Sequence, residues 1–173
     1  ERLNDAAAKY PQDAAVWFAL GSLQRDAADE NVRSQAVAAF QQAFELAPEN
    51  LAAAWNLLQS QAEQEQPEIV QTLQAVRPLV RPINAQTIEA GTDLEQEIDQ
   101  ALQAAESGEL DETYRHAFIV ANVIKAQPQA RRDGLSLSPH PLAYVVQDFE
   151  PGFYEDWTAP VVDDEIPEAE TAI

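Results

Sequence analysis

His116 and His140 are the two imidazoles in a chain of 173 residues that has no cysteine and no methionine. A thiol nucleophile, a disulfide and covalent haem attachment are therefore excluded. His116 lies between Arg115 and Ala117 in a helical run. No serine-based nucleophile pattern surrounds it, so it reads as a partly exposed surface residue rather than a base. His140 stands in Ser138-Pro139-His140-Pro141, a proline-fixed turn where a solitary histidine ordinarily serves as a hydrogen-bonded loop residue. Two histidines on different elements make no zinc site unless carboxylates join them. Asp93 with Glu97, and Glu95 with Asp99, stand one helical turn apart, a spacing at which a hard cation could be held. Such like-charged pairs are far commoner on solvated faces, and no calcium-loop spacing with its central glycine accompanies them. A glycine-rich phosphate loop is also missing. The expectation is a protein without catalytic residues, metal or cofactor.

The elements that carry these side chains have helical periodicity. Trp17, Leu20 and Gln24 fall on one face, flanked by Val16 and Leu23. Gly21 in mid-helix costs about 1 kcal/mol relative to alanine, a cost accepted where a neighbouring helix must come close. On the next helix Ala36, Ala39 and Ala43 supply small positions, and Phe40 and Phe44 supply large ones. Small opposite large lets two antiparallel helices interdigitate. The polar stretch from Asp26 to Asn31 suits the turn between them, and Pro48-Glu49-Asn50 makes the exit turn.

Trp17-Phe18-Ala19-Leu20-Gly21, followed by Ala36, Phe40, Ala43 and Pro48, resembles one tetratricopeptide repeat (TPR). The link between the two helices is about three residues longer than the family pattern, and Gln24 stands where the family usually has an aromatic residue. Leu3, Ala6 and Pro11 keep the spacing of Phe40, Ala43 and Pro48, so the chain reads as starting inside the second helix of a preceding repeat. Trp55 follows Trp17 by thirty-eight positions and Pro48 follows Pro11 by thirty-seven, two offsets near the repeat length. A second hairpin begins at Leu51, with Leu58 at the glycine position, and its second helix begins near Pro67 and buries Ile69, Val70, Leu73 and Val76. The resemblance implies a right-handed stack of hairpins whose concave face, carrying Trp17, Leu20, Gln24 and Asn56, could cradle a peptide. Asn56 matches a position the family often uses to grip a ligand backbone; the matching residue in the first repeat is Ala19.

From Arg77 the pattern predicts a break. Pro78 and Pro82 favour an extended path, with a loop or one short turn as far as Gly91. A third, degenerate hairpin follows, opened by a Thr92-x-x-Glu95 capping box and carrying Leu94, Ile98, Leu102 and Ala105. Ser107-Gly108-Glu109-Leu110 turns the chain, and Asp111 is placed to cap a helix that buries Tyr114, Ala117, Phe118, Ala121 and Ile124 before Pro128.

The helical-repeat domain is thus assigned to residues 1–133 and an extended aromatic and acidic C-terminal arm to 134–173. Leu135-Ser136-Leu137 opens the arm as extended chain. Phe149, Phe153, Tyr154 and Trp157 place four aromatics within nine residues, each worth about 1.5–3 kcal/mol or more when buried. They must dock, either on the edge of the helical stack or in pockets of another subunit.

Composition sets the function classes. Thirty acidic and ten basic residues leave a formal charge of −20, which repels nucleic acid and anionic membrane surfaces and favours basic partner surfaces. No hydrophobic run approaches the roughly 20 residues needed to span a bilayer. The missing initiating methionine suggests a processed product or a fragment, and the lack of oxidisable sulfur favours the periplasm or the extracellular space. The expected function is non-catalytic: an interaction or assembly subunit binding other protein subunits, with Gln24, Asn56, Phe149, Phe153, Tyr154 and Trp157 as its contact residues. The alternatives are a recruitment module trimmed from a larger enzyme and an extrinsic structural subunit of a membrane complex.

Overall fold

The computed structural model describes residues 2–137, and every regular element among them is an α-helix. The chain runs α1 (Arg2–Lys9), α2 (Ala14–Arg25), α3 (Glu30–Ser34), α4 (Ala36–Leu46) and α5 (Leu51–Glu63). It continues through α6 (Ile69–Glu89), α7 (Leu94–Glu106), α8 (Leu110–Lys125) and α9 (Pro128–Ser136). The all-helical class expected from periodicity holds. Short polar side chains set several starts: Asp13 accepts from Ala15 N at 2.9 Å, Asn50 from Ala53 N at 3.0 Å and Asp93 from Gln96 N at 3.1 Å. The cap of α7 is thus one residue beyond the Thr92 box. Asn84 of α6 fixes that register by accepting from Leu94 N at 2.7 Å. Glu109, not Asp111, stands at the start of α8. Gly91 and Gly108, at φ of 97° and 77°, end α6 and α7 in a conformation that costs a side chain heavily.

α2 and α4 form the first hairpin, and its closeness depends on Gly21. A β-carbon built there would lie 2.8 Å from Phe40 Cδ1, in a ring that is fully buried. Phe18 meets the same ring edge-on, with centroids 5.8 Å apart. Val16, Leu20 and Gln24 complete the buried stripe of α2. Trp17 does not join it: its indole is half-buried at the hairpin edge, with Nε1 donating to Pro11 O at 2.9 Å. Leu23 points to solvent. The stripe runs at spacing four through Val16, Leu20 and Gln24, which turns Trp17 toward the α1–α2 turn. The Asp26–Asn31 stretch also departs from a plain turn, because Asp29 caps the short helix α3, accepting from Asn31 N at 2.8 Å.

Beyond α4 the helices close on themselves. α5 packs against α4, α6, α8 and α9, α6 against α7, and α7 against α8, so α5 to α8 form a ring around a shared apolar centre. Leu57, Leu58, Ile69, Leu73, Ile98, Val120 and Ile124 fill that centre. Residues 77–89 are not extended. Pro78 and Pro82 lie inside α6, four apart, and both face solvent together with Gln74. The carbonyls they leave without a helical donor, those of Gln74 and Pro78, therefore lie on the wet side. On the opposite side Val76 and Val80 are buried in the ring. Arg77 pairs with Asp99, and Arg81 with Glu95 at 3.0 Å, tying the proline-bearing turns to α7. α9 likewise continues through Gly134, Leu135 and Ser136, where extended chain was expected. Its Asp133 accepts from Leu51 N at 2.9 Å, and Ala130 is buried.

Candidate functional site

The side chains expected to grip a partner, Gln24 and Asn56, are both buried. Gln24 Nε2 approaches Gln35 Oε1 at 3.4 Å, and its Oε1 has no partner among the described residues. Asn56 Nδ2 donates to Ala52 O at 2.8 Å, while its Oδ1 accepts from Arg25 Nη1. Asn56 is therefore a latch for Arg25, and both polar ends of its amide are occupied. Phe149, Phe153, Tyr154, Trp157 and His140 lie outside the described residues.

Arg25, which periodicity did not single out, is the centre of the seam between the first hairpin and the ring. Its guanidinium lies over Phe40 at 5.5 Å and over Trp55 at 5.7 Å, and Lys125 lies over Trp55 at 4.9 Å. Next to Arg25 opens a cleft of about 430 Å³ between α3 and the last turn of α5. α3 contributes Glu30 and Arg33, and the α5 side contributes Ser60, Glu63 and Gln64. Arg33 Nη1 donates to Ala27 O and Ala28 O, each at 3.1 Å, and Gln64 Nε2 donates to Arg33 O at 3.1 Å. Ser60 is 1% exposed, and its hydroxyl has no partner among the described residues. The signal that could have marked this wall is the polar series Asn56, Ser60 and Gln64 at spacing four on a helix otherwise rich in alanine and leucine.

The acidic series on α7 is dispersed among separate partners. Asp93 caps its own helix and accepts from Asn84 Nδ2 at 3.0 Å; Glu95 and Asp99 hold Arg81 and Arg77. Glu97 meets His116 Nδ1 at 2.7 Å. His116 is 8% exposed, not the surface residue expected from its neighbours, because α8 turns it toward α7. Arg115 Nη2 lies 3.0 Å from His116 Nε2. A guanidinium only donates, so Nε2 accepts and Nδ1 carries the proton toward Glu97. The imidazole lone pair is thereby engaged. Among the described residues no three His, Asp or Glu side chains converge as metal ligands, and no helix is long and apolar enough to cross a membrane.

The Asn84 amide and the Gln96 N–H hold the Asp93 carboxyl below its usual range. The hydrogen bond from Arg115 does the same for Glu112. Tyr114 is shifted the other way, with burial first and then the carboxylates of Glu65, Glu68 and Asp111 raising its phenol. Its hydroxyl donates to Glu65 O at 2.8 Å.

No protein-family model, curated protein or solved structure matches this chain.

Proposed function

We propose that this protein is a non-catalytic interaction module, built from TPR-like helical hairpins, that assembles with other protein subunits in the periplasm or outside the cell. The observation that carries the reading is the seam cleft beside Arg25, where charged and amide side chains of α3 and α5 are presented around about 430 Å³ of open space. The repeat spacing of Trp17, Gly21, Phe40 and Pro48, together with the Gly21–Phe40 approach, supports the family likeness. The formal charge of −20 supports partners with basic surfaces, because it steers association toward them. In this reading the aromatic residues Phe149, Phe153, Tyr154 and Trp157 add a second contact region.

Chemical cross-linking of the full chain in native extract, followed by mass spectrometry, tests the reading. The expected result is a reproducible set of partner proteins whose capture weakens as salt rises. A chain that remains monomeric, with no protein captured above a scrambled-charge control, overturns it.

A further inference from the structure

Trp55 gathers positive charge in a strongly acidic chain. Arg25 of α2 lies over its ring at 5.7 Å and Lys125 of α8 at 4.9 Å, both inside the roughly 6 Å over which an aromatic face attracts a cation. The stretches that bring these three side chains together contain no carboxylate. α2 has none, residues 50–62 have none, and residues 113–132 have none while carrying Arg115, Lys125, Arg131 and Arg132. Asp26 is the carboxylate that reaches the group, at 3.3 Å from Arg25 Nε, and its side chain is 73% exposed. Arg25 Nη1 is given to Asn56, which leaves Nη2 without a partner among the described residues. Lys125 forms no ion pair among those residues; the Trp55 ring is its contact.

The platform continues along α8. Phe118 stands seven residues before Lys125, which puts both on one face of the helix, about 10 Å apart along its axis. Its ring is 39% exposed. Two cations on an aromatic floor, with an apolar ring one short step away, have a defined complement. A basic segment would be repelled. A wholly apolar segment would strip water from two charges without replacing it. A nucleic acid would carry its phosphates past the platform onto the surrounding carboxylates. We infer that the Trp55 platform binds an acidic segment of a partner polypeptide. Two neighbouring carboxylates pair with Lys125 and with the open Nη2 edge of Arg25, and an apolar side chain about three residues away packs on Phe118, since an extended peptide covers about 10 Å in that length. The formal charge of −20 permits this, because screening limits the reach of distant carboxylates to about 8 Å at physiological ionic strength. The polypeptide source rests on the interaction-module reading.

Titration of the full ¹⁵N-labelled chain with acetyl-Glu-Glu-Ala-Leu amide, and with its Gln-Gln and Lys-Lys counterparts, tests the platform. The acidic peptide is expected to shift the Trp55 indole N–H and the amides around Lys125 and Phe118, and the Gln-Gln peptide to bind about tenfold more weakly. Lys125→Gln, at an exposed position, should weaken binding of the acidic peptide by about tenfold, while Lys125→Arg retains it. Phe118→Ala should weaken it by about threefold. Equal binding of the Gln-Gln peptide, tighter binding of the Lys-Lys peptide, or no shift by the acidic peptide at about 10 mM overturns the platform. A Trp55 indole signal that moves without added peptide, when Asp148, Glu150, Glu155 and Asp156 are changed to their amides, assigns the platform to the chain's own C-terminal residues and overturns the partner source. Partners cross-linked by Lys125→Gln as by the native chain, alongside a negative titration, would leave the interaction-module reading standing.

Discussion

Gly21 and Phe40 share a space too small for one more carbon. A methyl at Gly21 would gain about 1 kcal/mol of helix propensity but would press on a buried ring, and overpacking of that kind costs about 1–3 kcal/mol. Gly21→Ala is therefore expected to destabilise the protein in urea unfolding, whereas Leu23→Ala, at a solvent-facing position of the same helix, should stay within about 0.5 kcal/mol. A stabilised Gly21→Ala protein would show that the hairpin is looser than described. Gln61 presents the opposite problem. It is fully buried on α5, and neither atom of its amide has a partner among the described residues. Gln61→Met keeps the shape, removes the unpaired amide and should stabilise by about 1–3 kcal/mol; an unchanged midpoint would indicate that a buried water satisfies the amide. Asp93 contributes a pH dependence. Its carboxyl is depressed in the folded state, so its stabilisation is complete above the ordinary value of 3.8 and is lost as pH falls through the lower folded value. The stability gap between the native protein and Asp93→Ala should narrow below pH 3.8, and a gap constant across that range would contradict the assignment.

At the scale of elements, α6 is where local rule and fold disagree. A proline inside a helix forfeits a hydrogen bond and costs about 3 kcal/mol relative to alanine, partly offset by about 0.4–1 kcal/mol of reduced freedom in the unfolded chain. Pro78 and Pro82 are both exposed, so no packing contact compensates them. Changing either to alanine should raise the free energy of unfolding by about 1–3 kcal/mol, read in a urea titration, and leave the helical circular dichroism of the protein intact or increased. A destabilised variant would mean that the proline bend itself is needed to lay α6 along α7. The ion pairs Arg77–Asp99 and Arg81–Glu95 are surface pairs and add little energy on their own; they fix the register of α6 against α7, while Leu73, Val76 and Val80 supply the burial.

For the whole molecule the governing quantity is charge. Thirty carboxylates against ten cations repel one another, and several of the cations are already committed within the described residues to Asp26, Glu95, Asp99 and Glu112. Salt shortens the screening length to about 10 Å at 0.1 M and relieves that repulsion. Thermal stability is therefore expected to rise with ionic strength, while the on-rate for a basic partner falls. Melting curves and stopped-flow association across one salt series read both. A melting temperature that falls with salt would show that the ion pairs between helices outweigh the net repulsion.

Much of this protein was legible from residue spacing alone. Leu20, Gly21, Phe40, Ala43, Ile69, Leu73, Ile98 and Ile124 repeat at helical intervals, and that interval is a local property of the backbone that needs no knowledge of neighbours. The same spacing misplaced Trp17 and His116, because which edge of an apolar stripe turns inward depends on the helix packed against it. It also placed a break at Pro78 and Pro82, since the cost of a proline depends on whether the freed carbonyls face water, and the ring around α5 turns them outward. Gln24 and Asn56 illustrate the same limit: their types suit a binding surface, and tertiary packing turned them inward. The cleft formed by Glu30, Arg33 and Ser60 joins elements about thirty residues apart. Periodicity assigns a side chain to a face of its own helix, but only the folded chain determines which two faces meet.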